Sequence, residues 1–388
     1  MEEKLMMHYI PGLEGVPAAE SAVSYIDGEE GILEYRGINI EVLAEKSSFL
    51  ETAYLLMFGR LPTAEEFERF TEDVTFHTRL KLKILRMMEY LPEGGHPMHY
   101  LQGVVSAMGM YYPARNIIDP EVRYWAAVRL LAKLPTIVAA CHRLRHGDAP
   151  IKPDNDLSFT SNFYHMLFEK VPSPLVEKIL DVMLILHADH TMNASTFSAR
   201  VVGSTLADPC TIISSAIGTL SGPLHGGANE EVVHMFDEVG SKDKVREYVE
   251  GKIAAKEKIM GVGHRVYKTW DPRGRIMKGY IRRLFDEHAV DPALVELFEE
   301  MEKVVHEKLA HKKLYPNVDF YSGIVYRAIG IPTELYTPIF AMARVAGWLA
   351  HWMEQLESNR IYRPTQEYTG PREMEYVEIG ERGEPAGH

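Results

Sequence analysis

Beyond Tyr35 the chain is a succession of segments whose apolar residues recur at helical spacing, separated by turns built on proline and glycine. Val42, Leu43, Tyr54, Leu55 and Met57 share an apolar face that stops at Gly59-Arg60-Leu61-Pro62. Thr63 then stands where a helix N-cap belongs, with Glu65 and Glu66 in the first turn. The same periodicity predicts helices over 124–144, 175–190, 245–258, 275–287, 292–312 and 335–357. Only the start reads as extended: Ala22 to Ile26, a turn at Asp27-Gly28, and Ile32 to Tyr35 predict a short β-hairpin. No repeat of 20–50 residues is present, which argues against a helical solenoid. There is no P-loop and no strand–helix alternation. Gly261-Val262-Gly263 lacks the third glycine of a dinucleotide fingerprint. The fold class is mostly α.

A chain of 388 residues buries a sizeable core without metals or disulfides. Cys141 and Cys210 form neither a disulfide framework nor a zinc spacing, and both lie in apolar stretches, as buried inert thiols do. The net charge of −13 excludes a general nucleic-acid binder, whose counterion-release term needs a basic face. Glu2 and Glu3 occupy the place where a secretory signal has bases. The longest uncharged stretch, Pro209 to Leu224, falls short of the ~18 residues of a membrane span. A cytoplasmic protein without nucleic-acid or membrane partners is expected. The tail from Pro371 to His388, with five Glu, reads equally as a loose end or as an arm over a partner.

Local charge is more informative. Between Gly251 and Phe285 there are ten Lys/Arg against Glu257 and Asp271, a net +8 inside an acidic protein. Such a run is as often a solvated helix face as a site. Here Gly261, Gly263, Pro272, Gly274 and a histidine interrupt it, and cations concentrated in loops suit a phosphate or carboxylate.

Four segments carry candidate chemistry. In Ser221–Glu231 a histidine, His225, precedes a helix entrance; a cation is disfavoured there, so a neutral imidazole can donate to an oxyanion. The plainer reading is a loop histidine beside a cap, with Asn229 capping and Glu230-Glu231 in the first turn. Gly261–Lys268 places His264, Arg265 and Lys268 in one loop, where a shared anion would relieve their repulsion. In Pro316–Gly323, Asp319 between Val318 and Phe320 is a candidate desolvated base, although capping the helix near Phe320 is the commoner use of such an Asp. His187 and His190, at i and i+3 of an expected helix, invite a metal but lack a third ligand nearby; His190 as a ligand-facing donor fits better.

Taken in order, His187-Ala188-Asp189-His190 with Asn193-Ala194-Ser195-Thr196-Phe197, Gly222–Asn229, Gly261–Lys268 with Asp271-Pro272-Arg273, and Asn317–Gly323 resemble the citrate synthase family, in its shorter dimeric type. The resemblance runs from Gly12-Leu13-Glu14-Gly15-Val16 and Tyr25-Ile26-Asp27-Gly28 to Arg363–Gly370. It implies an almost all-α homodimer, with a large domain over 1–222 and 331–388 and a smaller inserted helical domain over 223–330. It implies His225, His264 and Asp319 as the catalytic set. It implies oxaloacetate, and citrate, held by His190, Arg273, Arg344 and the partner subunit's Arg363. Gly261, Val262, Gly263 and Lys268 correspond to coenzyme A contacts. No metal or cofactor is implied, since the coenzyme A thioester is a substrate. One departure is Thr191, where many relatives carry Glu at a position with no catalytic role.

The implied reaction condenses acetyl-coenzyme A with oxaloacetate and water to give citrate and coenzyme A, the entry step of the citric acid cycle. Oxaloacetate is expected to bind first, because its ligands stand on both domains and closure shields the thioester from water. Three alternatives stay open at this level: a 2-methylcitrate synthase using propionyl-coenzyme A, since one methylene is worth only ~1–3 kcal/mol; a non-catalytic helical scaffold; and a metal hydrolase built on His187 and His190.

Overall fold

The computed structural model describes residues 9–287 and 290–382. The acidic N-terminal residues Glu2 and Glu3 and the last six residues of the tail lie outside the described residues. Among those described there are sixteen α-helices and a single three-stranded sheet. Ser21–Ile361 forms one compact unit, and the described residues 9–20 and 362–382 belong to another. Within the latter, the Tyr362 hydroxyl donates to the Ala18 carbonyl at 3.0 Å, and residues 371–382 are exposed throughout.

The hairpin is present: β1 (Ser24–Asp27) pairs antiparallel with β2 (Ile32–Tyr35). A third strand, β3 (Ile38–Asn39), adds to β2 after a turn at Arg36-Gly37, both at positive φ. Two residues are too few to show an alternating pattern, so β3 left no mark in the sequence. The β1–β2 turn is a docking element. A Cβ on Gly28 would overlap the Val266 carbonyl, and the Lys268 N–H donates to the Gly28 carbonyl at 2.8 Å.

The helices follow the expected order with shifted ends. Thr63 caps Ala64–His77 in a capping box with Glu66. The segment expected at 124–144 extends to Pro120–Arg145, because Asp119 caps it and Pro120 takes the first position, where a missing N–H costs nothing. That helix is long and apolar enough to cross a membrane, but Ala127–Cys141, apart from Arg129, is buried inside the protein. Both cysteines are buried free thiols, and burial pushes each up to about 12.

The helix expected to reach His190 stops at His187. Tertiary partners take the backbone groups that would continue it. The Gly347 N–H donates to the Ala188 carbonyl at 3.1 Å. The Tyr35 hydroxyl accepts from the Asp189 N–H at 3.1 Å and donates to the Asp189 carbonyl at 2.9 Å. His190 therefore lies on a turn, and the shared helical face that suggested a His187/His190 metal pair does not exist.

Helix Tyr336–Glu357 is the axis of the core. It is buried from Tyr336 to Met353 and packs against Phe49–Phe58, Pro120–Arg145, Pro174–His187 and Ala194–Gly203. A helix apolar on all sides is stable only when enclosed in this way.

Candidate active site

One face of helix Tyr336–Glu357 organises the site. Arg344, Trp348 and His351 are spaced four and three residues apart, so they project toward the same neighbour, the segment 187–196. Arg344 is 2% exposed; its Nε donates to the His187 carbonyl at 2.7 Å, and its guanidinium lies over Phe340, 4.7 Å from the ring centroid. Burial pulls it down to about 10, still cationic at neutral pH. No carboxylate stands within ion-pair distance of it among the described residues. A buried guanidinium with free N–H groups is a strong site for an anion.

Trp348 Nε1 donates to Ser195 Oγ at 3.1 Å, and Ser195 Oγ stands 2.8 Å from His225 Nε2. The Ser195 backbone N–H points at the same Nε2 from 3.3 Å. The Ser195 hydroxyl gives its own proton to Asn193 Oδ1 at 2.7 Å, so the backbone N–H is the donor aimed at Nε2, and it places the ring proton on Nδ1. Burial, then Arg344, lowers His225 to about 4, so the ring is neutral at physiological pH. The helix after it begins at Ala228 on an N-cap, Gly227, that makes no side-chain bond. Asn229 is buried inside the helix rather than capping it, which removes the plainer reading of that segment.

The second imidazole is set by its own loop. His264 Nδ1 accepts from the backbone N–H groups of Val266 at 3.0 Å and Tyr267 at 3.2 Å, so its proton is on Nε2. Burial, then Arg273, lowers it to about 4. The loop is pinned to the strand-like segment 315–317. Val262 bridges Pro316, the Gly263 N–H donates to the Tyr315 carbonyl at 2.8 Å, and the Asn317 amide donates to the Gly263 carbonyl at 2.8 Å. Gly261 needs to be glycine: its φ is +72°, and a Cβ would lie 2.7 Å from Val232 and 2.9 Å from Phe320.

That pinning brings His264 beside the segment that bears Asp319. Asn317, not Asp319, caps helix Val318–Ala328, accepting from the Asp319 N–H at 2.9 Å. The capping role expected for Asp319 is therefore taken by its neighbour, and the Asp319 carboxylate makes no hydrogen bond among the described residues. Burial raises it to about 6, against the opposing pull of Arg273.

Arg273 is 3% exposed and already doubly bonded to Asp271, through Nε at 3.0 Å and Nη2 at 2.8 Å. Burial alone would lower it, but the Asp271 charge holds it above the usual arginine range. His190 Nε2 lies 3.3 Å from the Tyr267 hydroxyl, and its ring stands 5.2 Å from His264. Burial, with Arg273, His264 and Arg344 nearby, keeps His190 well below the ordinary histidine value. Electrostatically, Arg344 is a neighbour of His225, His190 and Asp319, while Arg273 is a neighbour of His264, His190 and Asp319. Two buried cations, three neutral imidazoles and one unbonded carboxylate thus form one electrostatic neighbourhood.

Much of the +8 segment serves other ends. Lys252 pairs with Glu257, Arg275 with Glu41, Lys278 with Glu302 and Arg283 with Glu287, as partly exposed or exposed ion pairs of small worth. Lys268 is exposed, its Nζ donating to the Arg265 carbonyl at 3.2 Å. Arg363 is exposed in the unit formed by the chain ends. Ser195, Trp348, Tyr267 and Asp271 received no role from the sequence. Trp348 and His351 could have been found from their helical register with Arg344; Ser195 and Tyr267 carry no such signal.

The chain matches the family model described as "Citrate synthase, C-terminal domain" over residues 12–365. It is 56% identical to a citrate synthase of Synechocystis sp. across 96% of this chain and 93% of that protein. It is 48% identical to one of Acidithiobacillus ferridurans across 97% and 99%. Among solved structures, citrate synthase from Pyrobaculum aerophilum superposes with a TM-score of 0.92 at 41% identity, covering 96% of this chain and 95% of that one. The ternary complex of the Thermoplasma acidophilum citrate synthase with carboxymethyl coenzyme A and oxaloacetate superposes with a TM-score of 0.89 at 32% identity, over 96% and 99%.

Proposed function

The chain belongs to the citrate synthase family, and on that premise we propose how its residues divide the condensation of acetyl-coenzyme A with oxaloacetate. The observation that carries the assignment is the unbonded Asp319 carboxylate, held at about 6 and linked through Arg344 and Arg273 to two neutral imidazoles of fixed tautomer.

Asp319 removes a proton from the acetyl methyl group. As it does so, the Nδ1–H of His225 donates to the thioester oxygen, so that charge developing there is shared rather than left on carbon. A neutral imidazole suits this role because an imidazolium partly buried and close to Arg344 would be costly. The resulting enol attacks the ketone of oxaloacetate, and the Nε2–H of His264 polarises and protonates that carbonyl oxygen. Water then releases coenzyme A from the citryl thioester. Every step draws on protein side chains and the substrates themselves.

Oxaloacetate brings two carboxylates. Arg344, without a carboxylate of its own, takes one bidentately; Arg273, braced by Asp271, and His190 contact the rest of the dianion. The partner subunit's Arg363 completes the set in a homodimer, for which its exposure leaves it available. Gly261, Val262, Gly263 and Lys268 face coenzyme A. Residues 223–330 form the small domain that closes on residues 1–222 and 331–388, with oxaloacetate binding first and linking the two. Two unpaired buried thiols suit a reducing cytoplasm.

The test is Asp319→Ala. It is expected to abolish exchange of the acetyl methyl protons with solvent while leaving oxaloacetate affinity within about threefold of wild type. Retained exchange would assign the base to another group. Arg363 is tested separately with mixed dimers of Asp319→Ala and Arg363→Ala subunits: activity is regained at one site per dimer if the arginine crosses over, and at neither if it does not.

A further inference from the structure

A second cluster of donor side chains lies away from these residues. His142 and His146 stand one turn apart at the C-terminal end of helix Pro120–Arg145, their ring centroids 4.5 Å apart. Glu334, on the 3-10 turn Thr333–Leu335, faces them from a segment remote in sequence, and one donor atom from each of the three lies within 4.8 Å of the others. We propose that His142, His146 and Glu334 bind one divalent transition-metal ion, with Zn2+ as its natural chemistry, tying the end of this helix to the turn that leads into helix Tyr336–Glu357.

Each donor is prepared for the role. His146 Nδ1 lies 2.8 Å from the His142 carbonyl, which can only accept, so that nitrogen carries the proton and Nε2 presents its lone pair. A ligating histidine supported through its other nitrogen by a backbone carbonyl is the usual arrangement around zinc. His142 has a buried Nδ1 with no hydrogen-bond partner. Glu334 accepts from Arg145 with Oε1 only, so Oε2 is left for a metal while the arginine orients the carboxylate.

The surroundings tolerate the added charge. Arg145 is offset by Glu334, and Arg143 stands 3.5 Å from Asp148. The free carbonyls of a helix C-terminus favour a cation. Metal–ligand bonds of about 2.0–2.2 Å in a tetrahedron put donors roughly 3.4 Å apart, so the cluster must contract by about 1.4 Å from its present 4.8 Å limit. The exposed His146 side chain is free to make that adjustment. Two histidines and a carboxylate leave a fourth position for water, and they favour Zn2+ over Mg2+, which prefers oxygen ligands.

The experiment is calorimetric titration of the full chain with Zn2+ and with Mg2+, alongside thermal melting, on wild type, His142→Ala, His146→Ala and Glu334→Gln. His99→Ala serves as the control for adventitious binding at the exposed His96/His99 pair. One Zn2+ per chain is expected to bind saturably and raise Tm. Affinity falls about tenfold or more in each histidine variant, and is weaker in Glu334→Gln. His99→Ala behaves as wild type and Mg2+ does not bind. Absence of saturable Zn2+ binding overturns the proposal, as does binding unchanged in both histidine variants. Wild-type affinity in Glu334→Gln overturns the tie between the two segments. None of these readouts depends on catalytic activity, so they stand apart from the assignments of Asp319 and the arginines.

Discussion

His351 Nε2 stands 3.3 Å from Asp189 Oδ1, with both side chains at 1% exposure or less, directly behind the turn that carries His190. Arg200 approaches the other side of the ring, its Nη1 3.2 Å from His351 Nδ1. A guanidinium only donates, so Nδ1 accepts and the ring N–H is the one that faces Asp189. Arg200 is in turn held by Glu354 at 2.8 Å and by Gln355 at 3.2 Å. The second oxygen of Asp189 accepts from Ser24 and from the Thr191 N–H. Burial alone would raise Asp189, but His351 and then Arg344 hold it below the usual carboxylate value. A buried anion therefore backs the turn bearing His190 and lies in the field of Arg344.

Removing the imidazole leaves Oδ1 of that carboxylate facing no N–H, at a cost of about 1–3 kcal/mol. His351→Ala is expected to lower Tm and to raise KM for oxaloacetate about tenfold, with kcat changed less than about threefold. His351→Gln, which keeps an N–H donor, recovers part of the KM. A proportionate fall in kcat alone would show that the pair does not position the oxaloacetate site.

The base and the two donors separate in pH. Asp319 at about 6 must be ionised to accept a proton, whereas His225 and His264 at about 4 are neutral well below that. The profile of kcat/KM for acetyl-coenzyme A is expected to rise through about pH 6 and level off above it. A profile with its only acid limb near pH 4 would remove Asp319 as the base.

Stability responds in the opposite sense to different groups. His187 at about 3, with His225 and His264 at about 4, lies below the ordinary histidine value of 6.5, so the unfolded chain binds more protons between about pH 4 and 6.5. Their contribution is complete above 6.5 and is lost as pH falls through the folded values. Asp319, raised to about 6, contributes stability at low pH that is lost as pH rises. His190 is depressed as well, so the histidines outweigh Asp319, and Tm is expected to fall from pH 7 to pH 4.5. Asp319→Asn, which deletes the opposing contribution, steepens that fall. Melting curves across the range check both signs.

Gly347 is required by close approach rather than by its dihedral angles. A Cβ there would overlap the Ala188 carbonyl and the Asp189 carboxylate. Gly347→Ala is expected to destabilise the fold by about 1–3 kcal/mol and, in the folded fraction, to weaken oxaloacetate binding by displacing the turn. Denaturant midpoints and oxaloacetate calorimetry measure the two effects.

Trp348→Phe removes the indole N–H that reaches Ser195 Oγ while keeping the ring's bulk. A drop in kcat of about three- to tenfold, with oxaloacetate affinity unchanged, is expected, since Ser195 contacts His225 and not the arginines. Wild-type kcat would show that the serine holds the imidazole unaided.

The helical class, most helices and the motif histidines were legible because a 3.6-residue period and Gly/Pro turns are local signals. Helix ends were less so. The periodicity ran on to His190, but Tyr35 and Gly347, far away in sequence, claim the backbone at 188–189 and end the helix at His187. Local preference likewise pointed to Asp319 and Asn229 as caps, whereas Asn317 caps one helix and Gly227 opens the other, leaving Asp319 free for chemistry.

By itself the sequence determined a mostly helical chain, its buried thiols, and a set of histidines, arginines and an aspartate of the right types. Those properties depend on neighbours within a turn or two. Only the tertiary structure decided which nitrogen of His225 and of His264 bears the proton, which arginine is left without a carboxylate, and how much of the positive segment is neutralised by surface ion pairs. Each of these depends on a donor, an acceptor or a charge delivered from a distant part of the chain. Protonation and hydrogen bonding respond to what stands within about 3–4 Å in space, a distance that sequence order does not encode.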